Sequence, residues 1–169
     1  MALSEAGIAI LICGAAAGLE ALLSGPRPFA FLRSLRQPAW SLPVSAWIAV
    51  GIAFYAIMVI ILARLLSIGR AAVWGLTFII VVLLADAIWN FLFFRLRRFD
   101  LAYYYLFPYS LIVIGAAIAT CSSDPASAIP LALYVLFLPY DVVWVSALRR
   151  LNPPFEGPER QARFDTERD

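Results

Sequence analysis

Val44-Ser-Ala-Trp-Ile-Ala-Val-Gly-Ile-Ala-Phe-Tyr-Ala-Ile-Met-Val-Ile-Ile-Leu-Ala63 runs without a charge, a proline or a regular alternation of polar and apolar positions. A strand of a membrane barrel is about ten residues long and alternates in polarity, so this stretch is not one. As an α-helix its length crosses about 30 Å of hydrocarbon. Working outward, four more runs of similar length and polarity give spans at roughly 3–23, 73–94, 101–120 and 129–148, with this one extending over roughly 44–66. The expected fold is all-α, an integral membrane protein built as a five-transmembrane-helix bundle. The membrane domain would occupy residues 1–151, and the mixed-charge, proline-containing stretch 152–169 reads as a disordered cytoplasmic tail. Glu5 and the lack of any basic residue ahead of the first apolar run argue for a retained helix rather than a cleaved signal.

Composition excludes several chemistries. The chain has 169 residues, 63% of them hydrophobic and 14% charged, with mean hydropathy +0.87, which rules out a water-soluble enzyme. Histidine is absent, and Cys13 and Cys121 stand far apart, so zinc, histidine-ligated haem and a paired-cysteine redox site all lack ligands. Every basic residue is arginine, which removes lysine chemistry. No covalently bound cofactor and no nucleic-acid partner is expected.

The arginines sort by side. Arg27, Arg33 and Arg36 follow the first span, Arg95, Arg97 and Arg98 the third, and Arg149 and Arg150 the fifth, while only Arg64 and Arg70 fall on the opposite side. Positive charge stays cytoplasmic, so the N-terminus is expected outside and the C-terminus in the cytoplasm. The connection 24–43 is unusual in combining Pro26, Pro28, Pro38 and Pro43 with Phe29, Phe31 and Trp40, and is expected to fold back over the cytoplasmic helix ends as a lid. A loop that only anchors the chain to lipid is the plainer alternative.

Helical spacing gives three stripes that could line one pocket. Span two offers Trp47, Gly51, Phe54, Tyr55 and Met58; span three, Asp86, Trp89, Asn90 and Phe93; span five, Phe137, Tyr140, Asp141, Trp144 and Leu148. Aromatic stripes alone also arise from helix packing, but an acid at depth costs roughly 2.5–3.5 kcal/mol on insertion scales and must face the bundle interior. Counted along their helices, Glu20, Asp86 and Asp141 lie about 26, 20 and 18 Å from the outer ends, in the cytoplasmic half. No arginine stands opposite them, so tyrosine, asparagine, water, one another or a ligand must serve as partners. A hydrogen-bonded tie between spans three and five would account for Asp86 and Asp141 without a ligand. Tyr103, Tyr104, Tyr105 and Tyr109 read as an interfacial aromatic belt, and Gly14-Ala-Ala-Ala-Gly18 and Gly115 to Ala119 as close-packing faces for helices or a homodimer.

Several of these stretches resemble the TspO/translocator protein family of tryptophan-rich sensory proteins. Phe31-Leu-Arg-Ser-Leu-Arg-Gln-Pro-Ala-Trp40-Ser-Leu-Pro43 is similar to the family's WYxxLxKPxWxPP segment, with Leu35, Pro38, Trp40 and Pro43 in place. Val50, Tyr55 and Met58 continue it. Ala85-Asp86-Ala-Ile-Trp89-Asn90-Phe-Leu-Phe93-Phe94 resembles LNxxWSxxFF, and Leu138-Pro139-Tyr140, Trp144 and Leu151-Asn152 resemble the fifth-helix motifs. Gly51 stands where the family has a tryptophan, Trp47 where it has a phenylalanine, and Asp86 and Asn90 where it has asparagine and serine. Trp144 follows Pro139 by five residues instead of four, about 100° further round a helix. Tyr140 and Arg149 are too far apart for the cholesterol-recognition pattern of animal members.

The resemblance implies a cytoplasm-side pocket under the first loop that binds a tetrapyrrole such as protoporphyrin, or another flat hydrophobic ligand, often in a homodimer. Expected ligand-binding residues are Trp40, Trp47, Gly51, Phe54, Asp86, Trp89, Asn90, Phe93, Tyr140, Asp141 and Trp144, with a possible porphyrin ligand as the sole cofactor-like molecule. Membrane lipid, a hydrophobic small molecule and a second copy of the chain are the expected partners, in a bacterial cell membrane. The leading reading is a membrane ligand-binding sensor. Alternatives are a proton-coupled transporter of a cation or amphiphile, an enzyme acting on the bound pigment or on lipid, and a scaffold for a partner protein.

Overall fold

The computed structural model describes residues 4–153, and among these every regular element is helical. The elements are α1 (Glu5–Ser24), the short α2 (Pro28–Ser34), α3 (Val44–Ile68), α4 (Val73–Asn90), α5 (Phe99–Cys121) and α6 (Pro125–Leu151). Four segments are long and apolar enough to cross a membrane: α1, α5, α6 and the stretch Val44–Arg95. That stretch holds 52 residues. Straight, it would be about 78 Å long, more than twice a hydrocarbon core. It is folded instead, because Gly69 adopts φ 74° and a 3-10 turn, Gly69–Ala72, reverses the chain. A left-handed backbone of this kind suits glycine, which has no side chain to clash. The result is five long helices.

These close into a ring in the order α1, α3, α6, α5, α4, with α4 returning to α1. α6 starts at Pro125, directly after Asp124 and four residues ahead of the expected span, since proline suits a first helical position. It also extends through Arg149 and Arg150 to Leu151. α4 ends in a π-helical turn, Phe91–Arg95, whose wider spacing turns Phe93 inward, where it is fully buried. Met58, Leu62, Ile79, Leu83, Val113, Leu131 and Val145 fill the core. Leu22, Trp74, Leu111 and Leu136 point outward and are largely exposed, as side chains facing lipid would be.

The connection between α1 and α3 lies across one end of the ring. Phe31 of α2 packs against Phe93, Phe94 and Phe99, and the Arg97 guanidinium covers its ring at 4.9 Å. The arginines after α1 and α4 and those in the last turn of α6 therefore gather at this end, whereas Arg64 belongs to the other, where it binds Asp124. Asn152, the first residue of the expected tail, is held by hydrogen bonds to Arg36; the rest of that tail, from 154, lies outside the described residues.

Candidate functional site

Beneath the α1–α3 connection an aromatic stack runs through the ring. α3 contributes Trp47, α4 and its π-turn contribute Trp89 and Phe93, and α6 contributes Tyr140 and Trp144. Trp89 stacks on Phe93 with centroids 5.0 Å apart, Phe93 stacks on Trp144 at 5.4 Å, and Trp144 meets Trp47 at 4.3 Å. Trp47 continues to Tyr140 at 6.0 Å, and Tyr140 to Trp40 at 5.7 Å. Trp144 is only 2% exposed, so its later position after Pro139 has not turned it out of the bundle; it lies one turn after Tyr140 on the same inward face. Trp40, at 48% exposed, forms the outer edge.

The connection is fastened to this stack. The Trp144 indole N–H donates to Gln37 Oε1 at 3.2 Å and Ser41 Oγ at 3.0 Å, and the Leu42 amide donates to the Tyr140 hydroxyl at 3.0 Å. Arg36 and Asn152 exchange two bonds, amide to Oδ1 at 2.9 Å and Nδ2 to carbonyl at 3.0 Å. By contrast, the indole nitrogens of Trp47 and Trp89 are buried and have no acceptor. A buried donor without a partner costs about 1–3 kcal/mol, so two in one chamber call for an explanation.

Deeper in the ring is a polar network that touches all five long helices. The Tyr55 hydroxyl of α3 donates to Glu20 Oε2 of α1 at 2.6 Å. The Glu20 carboxyl faces Asp86 of α4. Asp86 accepts from the Tyr109 hydroxyl of α5 at 3.2 Å and from Asn90 Nδ2 at 3.3 Å, and Tyr109 bonds the Tyr134 hydroxyl of α6 at 2.8 Å. Tyrosine and asparagine thus partner the buried acids, as the shortage of arginine predicts. The alternative of a direct tie between Asp86 and Asp141 is not made: Asp86 reaches α6 through Tyr109 and Tyr134, and Asp141 hydrogen-bonds to no described side chain or amide.

One expectation is corrected. Tyr109 is not part of an interfacial belt; it is 2% exposed, ten residues into α5, and sits at the centre of the network. Beneath the connection the rings of α3, α4 and α6 pack against one another. Open volume is found at the seam where α3 and α6 meet over a short stretch. A cavity of ≈ 180 Å³ there is lined by Val50, Phe54, Met58, Leu131, Tyr134 and Phe137 among others. A second of ≈ 290 Å³ shares Ile57 and Pro130 with it and runs on to Arg64. Pro130 helps to explain the gap, since it offers the Ala126 carbonyl no N–H and puts a small ring where α6 faces α3.

Among the expected ligand-binding residues, the structure therefore brings Trp40, Trp47, Trp89, Phe93, Tyr140 and Trp144 together as one stack. Asp86 and Asn90 belong to the network, and Phe54 lines the seam. Gly51 faces open space and joins none of these. Sequence reasoning left out Gln37 and Ser41 as fasteners and Tyr134 as a network member. A polar residue spaced at a helical interval from a buried acid is the signal that would have found Tyr134, seven residues before Asp141.

At the opposite end Asp124, just before α6, receives Arg64 Nε at 2.6 Å, Arg64 Nη2 at 2.8 Å and Ser127 Oγ at 2.6 Å. Those hydrogen bonds, the Arg64 guanidinium's first among them, hold its carboxyl well below the usual carboxylate range. Among the described residues no group of three or more acids and cysteines is placed to hold a metal ion.

Comparison with known proteins agrees with the motifs. The model of the TspO/MBR family matches residues 9–151, nearly the whole described chain. No curated protein matches it. The chain belongs to the TspO/MBR family, and with its apolar helices it is an integral membrane protein.

Proposed function

From this family membership and the geometry of the stack, we propose that the protein is a membrane receptor for a flat hydrophobic ligand of the tetrapyrrole class, bound beneath the α1–α3 connection. The observation behind this reading is the pair of buried indole donors, Trp47 and Trp89, that lack acceptors within a chamber walled by aromatic rings. A flat ligand parting these rings would gain stacking area on both faces. A carboxylate or carbonyl at its edge would accept from the two indoles, and Asn90 would orient a further polar group. The α1–α3 connection then acts as the lid, opening to admit the ligand when the bonds from Trp144, Tyr140 and Asn152 release.

The five long helices each cross the bilayer in this reading, with the arginine-rich end and the C-terminus in the cytoplasm of a bacterial cell and the N-terminus outside. The chain forms a homodimer through the outward face of α1, where a methyl group added at Gly14 or Gly18 would meet nothing within 4 Å, leaving room for a close helix approach.

A protoporphyrin titration of the detergent-solubilised protein, followed by tryptophan quenching, tests the ligand. Quenching should saturate, and Trp47→Phe and Trp89→Phe, which keep a ring but lose the N–H, should each weaken binding about tenfold. Quenching that does not saturate, or that is the same in both variants, refutes the reading.

A further inference from the structure

The seam where α3 and α6 meet lies apart from the aromatic stack, and what it offers does not depend on any ligand proposed there. Two cavities stand in line along it, of ≈ 180 and ≈ 290 Å³, and Ile57 and Pro130 line both. Together they follow α3 from Val50 to Arg64, a rise of about 21 Å. Half of a bilayer's hydrocarbon core is about 15 Å deep, so the seam is long enough for the chain of one leaflet. Ile60 and Leu133, which line it, are exposed, and the groove is therefore open toward the surrounding lipid.

Its polar groups are gathered at one end. Apart from Tyr134, every side chain lining the first cavity is apolar, whereas the second reaches Arg64 and Ser127. Arg64 is the one charged residue that lines either cavity. Its Nε donates to Asp124 at 2.6 Å and to Ser127 Oγ at 3.0 Å, and its Nη2 to Asp124 at 2.8 Å. Nη1 has no acceptor among the described residues. The pair is also unequally placed, since the Arg64 side chain is 51% exposed and that of Asp124 only 8%. A group arriving along the groove meets guanidinium hydrogens before it meets the carboxylate. The start of α6 adds to this. Ala126 lines the same cavity, and its amide makes no backbone hydrogen bond, because the amides of Ser127 and Ala128 take the Asp124 carbonyl. The first turn of a helix also carries the positive end of its dipole.

A long apolar groove that ends at a half-exposed guanidinium and a helix start fits an amphiphile with an anion at one end. A compact ring would occupy one cavity and leave the other, whereas an alkyl chain runs through both. Phosphate suits the polar end, since it accepts from guanidinium and from the amides of a helix start. A headgroup with a cation of its own would bring a second positive charge beside Arg64. We propose that the α3–α6 seam holds an anionic phospholipid, with one acyl chain lying past Ile57 and Pro130 and the phosphate at Arg64 Nη1 and the start of α6. The second acyl chain stays in the bilayer, outside Ile60 and Leu133.

The test uses the full chain in phosphatidylcholine nanodiscs. Trace phosphatidylglycerol or phosphatidylcholine is added, each with a diazirine at the middle of one acyl chain, and after illumination the labelled residues are found by peptide mass spectrometry. Leu22 and Leu111, exposed on other faces, report background contact with lipid. Phosphatidylglycerol should label α3 and α6 around Ile57 and Leu131 about tenfold more than phosphatidylcholine does, as one charge-assisted hydrogen bond would give. Arg64→Gln should bring the two lipids level, while Arg64→Lys, which keeps the charge, should preserve the preference. Met58→Trp, which fills the first cavity, should remove seam labelling by both lipids and leave Leu111 unchanged. Equal labelling of the seam by both lipids in the unaltered chain overturns the proposal, whatever the variants do. So does a preference that is as large at Leu111 or that survives Arg64→Gln, and so does a seam that neither lipid labels, which would mean that another occupant, such as a second copy of the chain, covers it.

Discussion

Asn152→Ala offers a direct test of how the α1–α3 connection is held. Asn152 grips the backbone of Arg36 from both sides, accepting from its amide at 2.9 Å and donating to its carbonyl at 3.0 Å. Each bond contributes roughly 0.5–1.5 kcal/mol, and because both are solvent-exposed the lower half of that range applies, giving about 1–2 kcal/mol together. Local opening of residues 36–42 should then become about 5- to 30-fold more frequent. The amide of Arg36 loses its acceptor in the variant, so its exchange says little. The informative amide is Leu42, whose bond to the Tyr140 hydroxyl is untouched by the substitution. If the connection opens as one unit, Leu42 should exchange about 5- to 30-fold faster in residue-resolved hydrogen–deuterium exchange. The Phe31 cluster remains intact, so the Phe31 amide, bonded to the Arg27 carbonyl at 3.2 Å, should not change. Faster exchange at Arg36 with none at Leu42 would refute the idea of a single hinged lid.

Three further outcomes follow from other regions. Tyr109→Phe removes bonds to both Asp86 and Tyr134; at about 0.6–1.7 kcal/mol per bond inside a membrane, it should destabilise the bundle by roughly 1–3 kcal/mol in a reversible denaturation assay, and no measurable loss would show the network to be energetically idle. Gly51→Ala fills open space within a helix and should stabilise by about 0.5–1 kcal/mol, read as a higher denaturation midpoint. The depressed Asp124 carboxyl contributes stability that is fully present above its unfolded value, about 3.9, and is lost as pH falls below it. Thermal melts of the unaltered chain and of Asp124→Asn should therefore differ at pH 6 and converge as the pH is lowered below about 4. A gap that stays constant over that range would remove the Arg64–Asp124 pair as its cause.

The helices and the gathering of arginines were legible because both follow from local rules: apolar length sets a span, and charge sets which ends share a side. The buried acids also declared themselves, since an acid at depth with no arginine opposite must find tyrosine or asparagine, and Asp86 finds both. The stacking of rings in the chamber was not legible. Helical spacing says that Trp47, Phe93 and Trp144 each face inward, but not that rings from three helices meet at 4.3 and 5.4 Å. That depends on inter-helix distance, which no single span encodes. Tyr109 was misread for a related reason: its neighbours Tyr103 and Tyr104 do sit near the helix end, under Arg149, and proximity in sequence hid ten residues of depth.

Phe137 links the two regions that matter for ligands. Its ring lines the seam cavity on one side and lies 6.2 Å from Trp47 of the aromatic stack on the other. A guest in the seam and a flat ligand beneath the connection would therefore share a wall, and both would perturb Trp47. Tryptophan quenching alone cannot tell them apart. Substitutions can, because Trp89 stacks only within the chamber while Met58 lines the seam. Binding lost in Trp89→Phe but kept in Met58→Trp belongs to the chamber. The reverse pattern belongs to the seam, and loss in both would mean that Phe137 transmits the occupancy of one to the other.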